Sequence, residues 1–240
     1  MEKPQEEFKL TSGIEKNSQS AISLKERYRR ALQWWEATNP DADTELVYHN
    51  HYELLIAVIL SAQCTDARVN QVTPRLFAIY PDVYALAQAD SNEVLHLISS
   101  ISYPNAKAEY LCQTARQLVE HHNGEIPSDY DALLALPGVG RKTANVMRVC
   151  AFGIPSMPVD THVFRVANRI GLTKTTTPEA TEKELLRNIP NNKLGKAHHW
   201  LVLHGRYICT AMRPSCDKCG LTAICKHYAK TSGTQKKLIN

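Results

Sequence analysis

Four cysteines near the carboxyl end have the spacing expected of ligands to a metal ion or an iron-sulfur cluster. They follow the pattern C-x6-C-x2-C-x5-C in a chain that holds seven cysteines: Cys209, Cys216, Cys219 and Cys225. Four thiolates in one loop are typical of a single inorganic centre, whereas disulfide frameworks belong to small secreted domains. The spacing favours an iron-sulfur cluster. A four-thiolate zinc site is the alternative, although zinc sites usually combine two C-x2-C pairs and this chain has one.

A second segment that could do chemistry, residues 128–152, has the pattern of a helix, a tight hairpin and another helix. Its turn, LPGVG at 136–140, contains Gly138 and Gly140, which we expect to adopt positive φ angles and to let the backbone approach a ligand closely. Backbone N–H groups at the start of the helix near Arg141 would then face an anion such as a phosphate. An ordinary connection between two helices is the alternative.

The elements that carry these residues have helical patterns. Ser23 and Glu26 form a capping box at the start of one helix. We expect Ser128 and Asp131 to cap the first helix of the hairpin. Apolar residues at helical spacing mark three more helices, within residues 52–63, 69–77 and 108–119. Because strand-like alternation is scarce, the sequence predicts an all-α protein.

The composition fits a globular protein of one or two domains. The 240 residues are 43% hydrophobic and 22% charged, and the longest apolar run, residues 54–60, is too short to span a bilayer. The acidic amino end lacks the apolar core of a signal peptide. We therefore expect a cytoplasmic protein with no membrane partner. Three further cysteines lie among apolar neighbours and fit a reducing compartment as core residues: Cys64, Cys112 and Cys150.

Basic residues are concentrated in the last part of the chain. The net charge is only +4, yet from residue 193 onward Asp217 is the one acid. Against it stand nine basic residues: Lys193, Lys196, Arg206, Arg213, Lys218, Lys226, Lys230, Lys236 and Lys237. This bias fits either a solvated face or a surface that binds phosphates.

Five motifs in a fixed order give the sequence a family resemblance. They are LSAQ at 60–63, LPGVGRKTA at 136–144, VDTH at 159–162, HHW at 198–200 with HGR at 204–206, and the four cysteines in their full spacing. With these motifs, the chain from about Leu24 to Cys225 resembles the helix-hairpin-helix superfamily of DNA glycosylases, and most closely its endonuclease III family.

The resemblance implies two helical domains that flank a DNA-binding cleft. The first is a six-helix barrel domain over residues 44–154, with the helix-hairpin-helix at 128–152. The second is an iron-sulfur cluster domain formed by residues 23–43 and 155–240, with its cluster loop at 209–225. The cofactor implied is one [4Fe-4S] cluster on the four cysteines, with a structural and DNA-positioning role, in place of zinc. Residues 1–22 are polar and are expected to be a flexible leader.

The same resemblance makes Lys142 the catalytic amine and Asp160 its carboxylate partner. The implied activity is that of a bifunctional DNA glycosylase and abasic-site lyase of base excision repair, which removes oxidised or ring-saturated pyrimidines. Lys142 attacks the anomeric carbon of an extruded nucleotide and forms a Schiff base, and β-elimination then cleaves the strand 3′ to the abasic site. Since an ordinary lysine, with a pKa of about 10.4, is protonated at neutral pH, the amine must first be neutralised. Asp160 also precedes an apolar helical pattern and is expected to cap that helix.

Two residues match the family positions that fill the space left by the extruded nucleotide. Gln63 matches the residue that occupies this space, and Tyr103 matches the wedge, although Ser102 and Pro104 depart from the usual Gly-aliphatic-Tyr pattern. Further DNA contacts are expected from the hairpin and the cluster loop: Gly138, Val139, Gly140, Arg141, Thr143, Arg213 and Lys218. The expected partner is double-stranded DNA with damaged pyrimidines or abasic sites, bound by a monomer in a bacterial-type cytoplasm, where DNA associates the protein with the nucleoid.

Other readings compete with this one. Adenine glycosylases of the same superfamily share the hairpin and the cluster but usually lack the lysine. A ferredoxin-like electron carrier leaves the hairpin unexplained, and a DNA-binding module without enzymatic activity is the least specific alternative. Several histidines could suggest a metal, but without cysteine or carboxylate partners at ligand spacing we expect them at helix surfaces or in packing: His121, His122, His162, His198 and His199.

Overall fold

A computed structural model describes residues 22–237 of the chain, with side chains up to residue 232. Within these residues there are twelve α-helices and no strand, which confirms the predicted all-α class. The α-helices are α1 (Leu24–Thr38), α2 (His51–Ser61), α3 (Asp66–Ile79), α4 (Val83–Ala87), α5 (Ser91–Ile98), α6 (Pro104–His122), α7 (Tyr130–Leu134), α8 (Arg141–Cys150), α9 (Thr161–Ile170), α10 (Pro178–Asn188), α11 (Leu194–Tyr207) and α12 (Lys226–Lys237). Short 3-10 helices occupy Asn191–Lys193, Cys216–Lys218 and Thr222–Ile224.

The start of the described chain follows the capping signals of the sequence. The Ser23 side chain accepts a hydrogen bond from the backbone N–H of Glu26 at 3.2 Å, so α1 begins where expected. Nearly every residue of α2 is buried, as its all-round apolar character predicts. The expected flexible leader at 1–22 lies, except for residue 22, outside the described residues. None of the helices in the described part of the chain is both long enough and apolar enough to cross a bilayer.

Buried apolar side chains form two clusters. One is built between Leu46 and Met147 and takes its residues from α2 to α8. The other combines Tyr28 to Ala42 with residues from Met157 to Ile224. Burial of apolar surface is the main favourable term in folding, so each cluster stabilises its own set of helices. The domain boundaries expected from the sequence stay a prediction, which this division of the core supports.

The hairpin differs from its prediction in two details. Asp129, not Ser128, is the N-cap of α7, and its side chain accepts a hydrogen bond from the N–H of Ala132 at 2.9 Å. The helix begins one residue later than expected, because the cap must be the extended residue directly before the first helical one. Gly138 has a positive φ of 75°, but Gly140 has a φ of −93°, so only the first glycine needs the left-handed region.

Candidate active site

A cavity of about 650 Å³ lies where the two apolar clusters meet. One side is formed by Ser61, residues 63–66 and Lys142, and the other by residues 159–162 and Phe164 with Thr176, Pro178 and Arg206. Lys142 and Asp160, eighteen residues apart in the sequence, are therefore brought to one cavity. A space of this size is typical of a small-ligand site.

Lys142 is placed at the cavity by the orientation of α8. The next five residues of this helix, 143–147, are buried, whereas Lys142 in the first turn is exposed. Gly140 is the N-cap in an extended conformation and makes no side-chain capping bond. The first N–H groups of α8 thus lack a side-chain acceptor, and the positive end of the helix dipole lies close to Lys142.

Asp160 is fixed by its role as the N-cap of α9. Its Oδ1 accepts a hydrogen bond from the N–H of Val163 at 2.8 Å, which confirms the predicted cap. The side chain is half-buried at the cavity wall. Because the cap uses Oδ1, Oδ2 is left as a second acceptor on the same carboxylate.

A buried histidine lies beside this pair. His198 lines a smaller adjoining space with Lys142 and Asp160, and its Nδ1 lies 3.0 Å from the carbonyl oxygen of Pro158. Since a carbonyl only accepts, Nδ1 carries the proton and Nε2 is an acceptor. Burial, with a smaller contribution from His199, holds the pKa of His198 well below its ordinary value. His198 and His199 are therefore packing residues; neither lies on the helix surface.

The two residues expected to fill the space left by the extruded nucleotide have backbone conformations that are rare for residues other than glycine. Gln63 and Tyr103 have positive φ angles of 54° and 56°, which few residues other than glycine adopt. Gln63 is exposed and lines the cavity with Lys142. Tyr103 is 65% exposed and does not line this cavity. It immediately precedes α6, whose first residue is Pro104.

Three of the hairpin residues expected to contact DNA have side chains that are already buried or bound within the protein. Val139 and Thr143 are buried, at 6% and 8% exposure, so their side chains pack inside the protein. Arg141 is engaged by Glu182: its Nε and Nη2 donate to the two carboxylate oxygens at 2.8 and 2.9 Å. Glu182 was not a sequence candidate, and no local pattern marks it, because it lies 41 residues further along the chain.

The four candidate ligands are free thiols: Cys209 follows the end of α11, and Cys216, Cys219 and Cys225 lie in or beside the last two 3-10 helices. Each is half-buried, and three of them pack against the second apolar cluster. Burial, with smaller contributions from the nearby Cys225, Cys209 and Cys216, raises the pKa of Cys219 to about 11. Within the part of the chain described, no set of three or more His, Cys, Asp or Glu side chains is arranged to hold a metal ion.

The surroundings of these thiols contain donors to sulfur. Arg169 donates from Nη1 to the Sγ of Cys209 at 3.5 Å and to the carbonyl oxygen of Thr210 at 2.7 Å. The N–H of Tyr228 donates to the Sγ of Cys225 at 3.4 Å. Half-buried thiols that repel each other as anions and accept hydrogen bonds suit a cationic centre, since metal binding replaces their protons.

Two basic residues of this loop, Arg213 and Lys218, are exposed. Among the described residues neither forms an ion pair. Met212 beside them is 91% exposed. The loop therefore exposes two cationic side chains and one apolar side chain.

Comparison with known proteins gives consistent matches over most of the chain. Residues 56–191 match the HhH-GPD superfamily of base excision DNA repair proteins. The endonuclease III of Rickettsia conorii (strain Malish 7) is 50% identical over 199 residues, which are 83% of this chain and 95% of that protein. The endonuclease III of Escherichia coli (strain K12) is 45% identical over 192 residues, which are 80% of this chain and 91% of that protein.

The fold also matches solved structures. A trapped covalent intermediate of an endonuclease III with DNA superposes with a TM-score of 0.84 at 42% identity, covering 88% of this chain and all of that one. A non-covalent endonuclease III–DNA complex gives the same TM-score and identity over 88% of this chain and 99% of the other.

Proposed function

Since this chain belongs to the endonuclease III family of the HhH-GPD superfamily, we propose that Lys142 is its nucleophile and Asp160 the carboxylate that assists it. The protein is a DNA glycosylase and abasic-site lyase of base excision repair, and DNA is its partner. The observation that carries the residue assignment is the placement of Lys142 and Asp160 in the wall of one cavity.

The reaction starts with a nucleotide swung out of the duplex into this cavity. The neutral amine of Lys142 bonds to C1′ of the sugar while the bond from C1′ to the base breaks, and the base leaves with the electron pair and takes up a proton. Opening of the sugar ring gives a Schiff base. Loss of a proton from C2′ and breakage of the bond from C3′ to oxygen then cleave the strand. Water releases the amine.

Asp160 and His198 surround the lysine with proton acceptors. Oδ2 of Asp160 is not used by the helix cap and serves to take the ammonium proton or to stabilise the positive charge on the sugar. His198 stays neutral beside the pair because burial lowers its pKa. It therefore adds no second positive charge to a site that must neutralise an amine.

The four half-buried cysteines are proposed to hold one [4Fe-4S] cluster: Cys209, Cys216, Cys219 and Cys225. When bound, the cluster would supply structural cross-linking of the loop rather than reaction chemistry. Arg213 and Lys218 in this loop would contact phosphates, as would the backbone at Gly138 and Gly140.

We further propose that the substrates are oxidised or ring-saturated pyrimidines and abasic sites. Gln63 and the Tyr103 wedge would fill the space that the extruded nucleotide leaves in the duplex. The position of Gln63 in the wall of the cavity that Lys142 also lines supports this role. The protein would act as a monomer on nucleoid DNA in the bacterial cytoplasm, and its similarity to bacterial relatives supports the bacterial setting.

Borohydride trapping tests the nucleophile. The protein is incubated with a duplex that contains one abasic site, and borohydride reduces any Schiff base to a stable protein–DNA adduct. We expect the adduct with the unaltered protein and with Lys196→Ala, a lysine whose Nζ bonds to the carbonyl oxygen of Ala42. Lys142→Ala should give none while still binding the duplex. An equal adduct yield from Lys142→Ala would refute the assignment.

A further inference from the structure

A buried lysine links the two loops that carry Gln63 and Tyr103. Lys107 lies in the first turns of α6 and is only 5% exposed. Its Nζ donates to the carbonyl oxygen of Leu60 at 2.8 Å and to that of Ala62 at 2.6 Å. Both acceptors belong to the end of α2, 47 and 45 residues earlier in the chain.

The chemistry of this contact is that of a helix cap made by a distant side chain. The last carbonyl groups of a helix have no partner within it, and they form the negative end of the helix dipole. A buried ammonium group also needs acceptors, because an unpaired charge in the interior is strongly unfavourable. Lys107 satisfies both requirements at the point where α2 ends.

The cap lies next to both unusual backbones. Gln63, with a φ of 54°, directly follows Ala62. Tyr103, with a φ of 56°, is the residue before α6, and its carbonyl oxygen accepts from the N–H of Lys107 at 3.2 Å. Non-glycine residues in this region persist only where the surroundings hold them in place.

We propose that Lys107 is a positioning residue that fixes the Gln63 and Tyr103 loops to each other, so that both side chains enter the opened DNA as one unit. This inference rests on the proposed roles of Gln63 and Tyr103. Lys107 itself touches no reacting atom.

A stability role alone makes a different prediction. If Lys107 only stabilises the fold, its replacement lowers the number of folded molecules, but each folded molecule bound to DNA opens the base as often as before. A lysine that couples the loops would lower base opening in molecules that are folded and bound. It would also make the effects of the two loop residues depend on its presence.

The experiment is a double-mutant cycle on base opening. A duplex with a fluorescent base analogue opposite a lesion reports the open state, and Lys142→Ala in every protein prevents the reaction. Lys107→Met keeps the apolar stem and removes the ammonium. Lys196→Met is the control for loss of a lysine-to-carbonyl hydrogen bond outside the two loops, since the exposed Lys196 donates to the carbonyl oxygen of Ala42 at 2.9 Å.

We expect Gln63→Ala, Tyr103→Ala and Lys107→Met each to lower the open fraction about tenfold, and Lys107→Met with Gln63→Ala to lower it little further. Lys196→Met should leave it unchanged. Two results would overturn the inference while leaving the loop roles intact. In one, the double variant lowers the open fraction by the product of the two single effects; in the other, Lys107→Met opens the base normally. Normal opening with both Gln63→Ala and Tyr103→Ala would overturn the loop roles as well. If Lys107→Met does not fold, Lys107→Gln, which keeps one donor, is measured with the same criteria.

Discussion

Lys142 and Asp160 line one cavity from the beginnings of two different helices, Lys142 in the first turn of α8 and Asp160 as the N-cap of α9. Both are thus held by backbone that helix formation has already fixed. An active site built on element ends keeps its geometry without further ordering when the substrate arrives.

The two roles of Asp160 can be separated by substitution. Asn caps a helix about as well as Asp but carries no charge, so Asp160→Asn should keep the stability and lower single-turnover excision by about a hundredfold or more. Asp160→Ala should also lose about 1 kcal/mol of unfolding free energy. Asp82→Ala, which removes the cap that accepts from Ala85 at 2.8 Å, is the control for stability loss alone. Unchanged turnover in Asp160→Asn would contradict a catalytic role.

The two hairpin glycines should respond differently to an added methyl group. At Gly138 the φ is 75°, and a Cβ would lie 3.0 Å from the Cβ of Tyr110, so Gly138→Ala should lose about 1–2 kcal/mol in urea unfolding. At Gly140 no atom lies within 4 Å of an added Cβ, and stability should stay within about 0.5 kcal/mol.

Gly140→Ala should nevertheless weaken duplex binding, measured by fluorescence anisotropy, if the DNA backbone approaches this turn closely. An unaltered affinity in Gly140→Ala would show that the close contact lies elsewhere.

The salt dependence of DNA binding should distinguish basic side chains without an ion-pair partner in the described part of the chain from a basic side chain that is already paired within the protein. Arg213→Ala and Lys218→Ala, at exposed residues of the cysteine loop, should each reduce the slope of log affinity against log salt by about 1. Arg141→Ala should change the slope by less than half as much, because Glu182 already holds its guanidinium. Affinities measured between about 50 and 200 mM salt check this. An equal change for Arg141→Ala would mean that it leaves Glu182 to contact phosphate.

The unfolding free energy should fall on acidification because of His198. Its folded pKa lies below its unfolded value of about 6.5, so the unfolded chain binds the proton first. The stabilisation is therefore complete above about pH 6.5 and is lost as the pH falls, by at most about 1.4 kcal/mol per pH unit. The groups that act on His198 are His199, Asp160, Lys142 and the Pro158 carbonyl.

Urea unfolding between about pH 5 and 7 measures this slope. His198→Gln should flatten it, with the remainder due to His199, His204 and His227, whose pKa values burial also lowers. His121→Gln, at an exposed histidine, is the control and should leave the slope unaltered. An identical slope in His198→Gln would contradict the buried neutral state.

The sequence by itself determined the local structure and the order of the motifs. The cap at Ser23, the buried α2 and the cap at Asp160 follow from residues within one or two helical turns, where spacing and side-chain type decide the hydrogen bonds. The family followed from motifs that each lie within a short stretch of the chain. The cap at Asp129 and the φ of Gly140 differed from expectation because several neighbouring residues could satisfy the same local signal.

Only the tertiary structure decided which distant groups meet. The bond from Lys107 to the end of α2 and the pairing of Arg141 with Glu182 join residues more than forty positions apart. No periodicity connects such residues. Their contacts arise when packing of the apolar clusters brings helices together, and a buried charge then takes the acceptors that this packing places within reach.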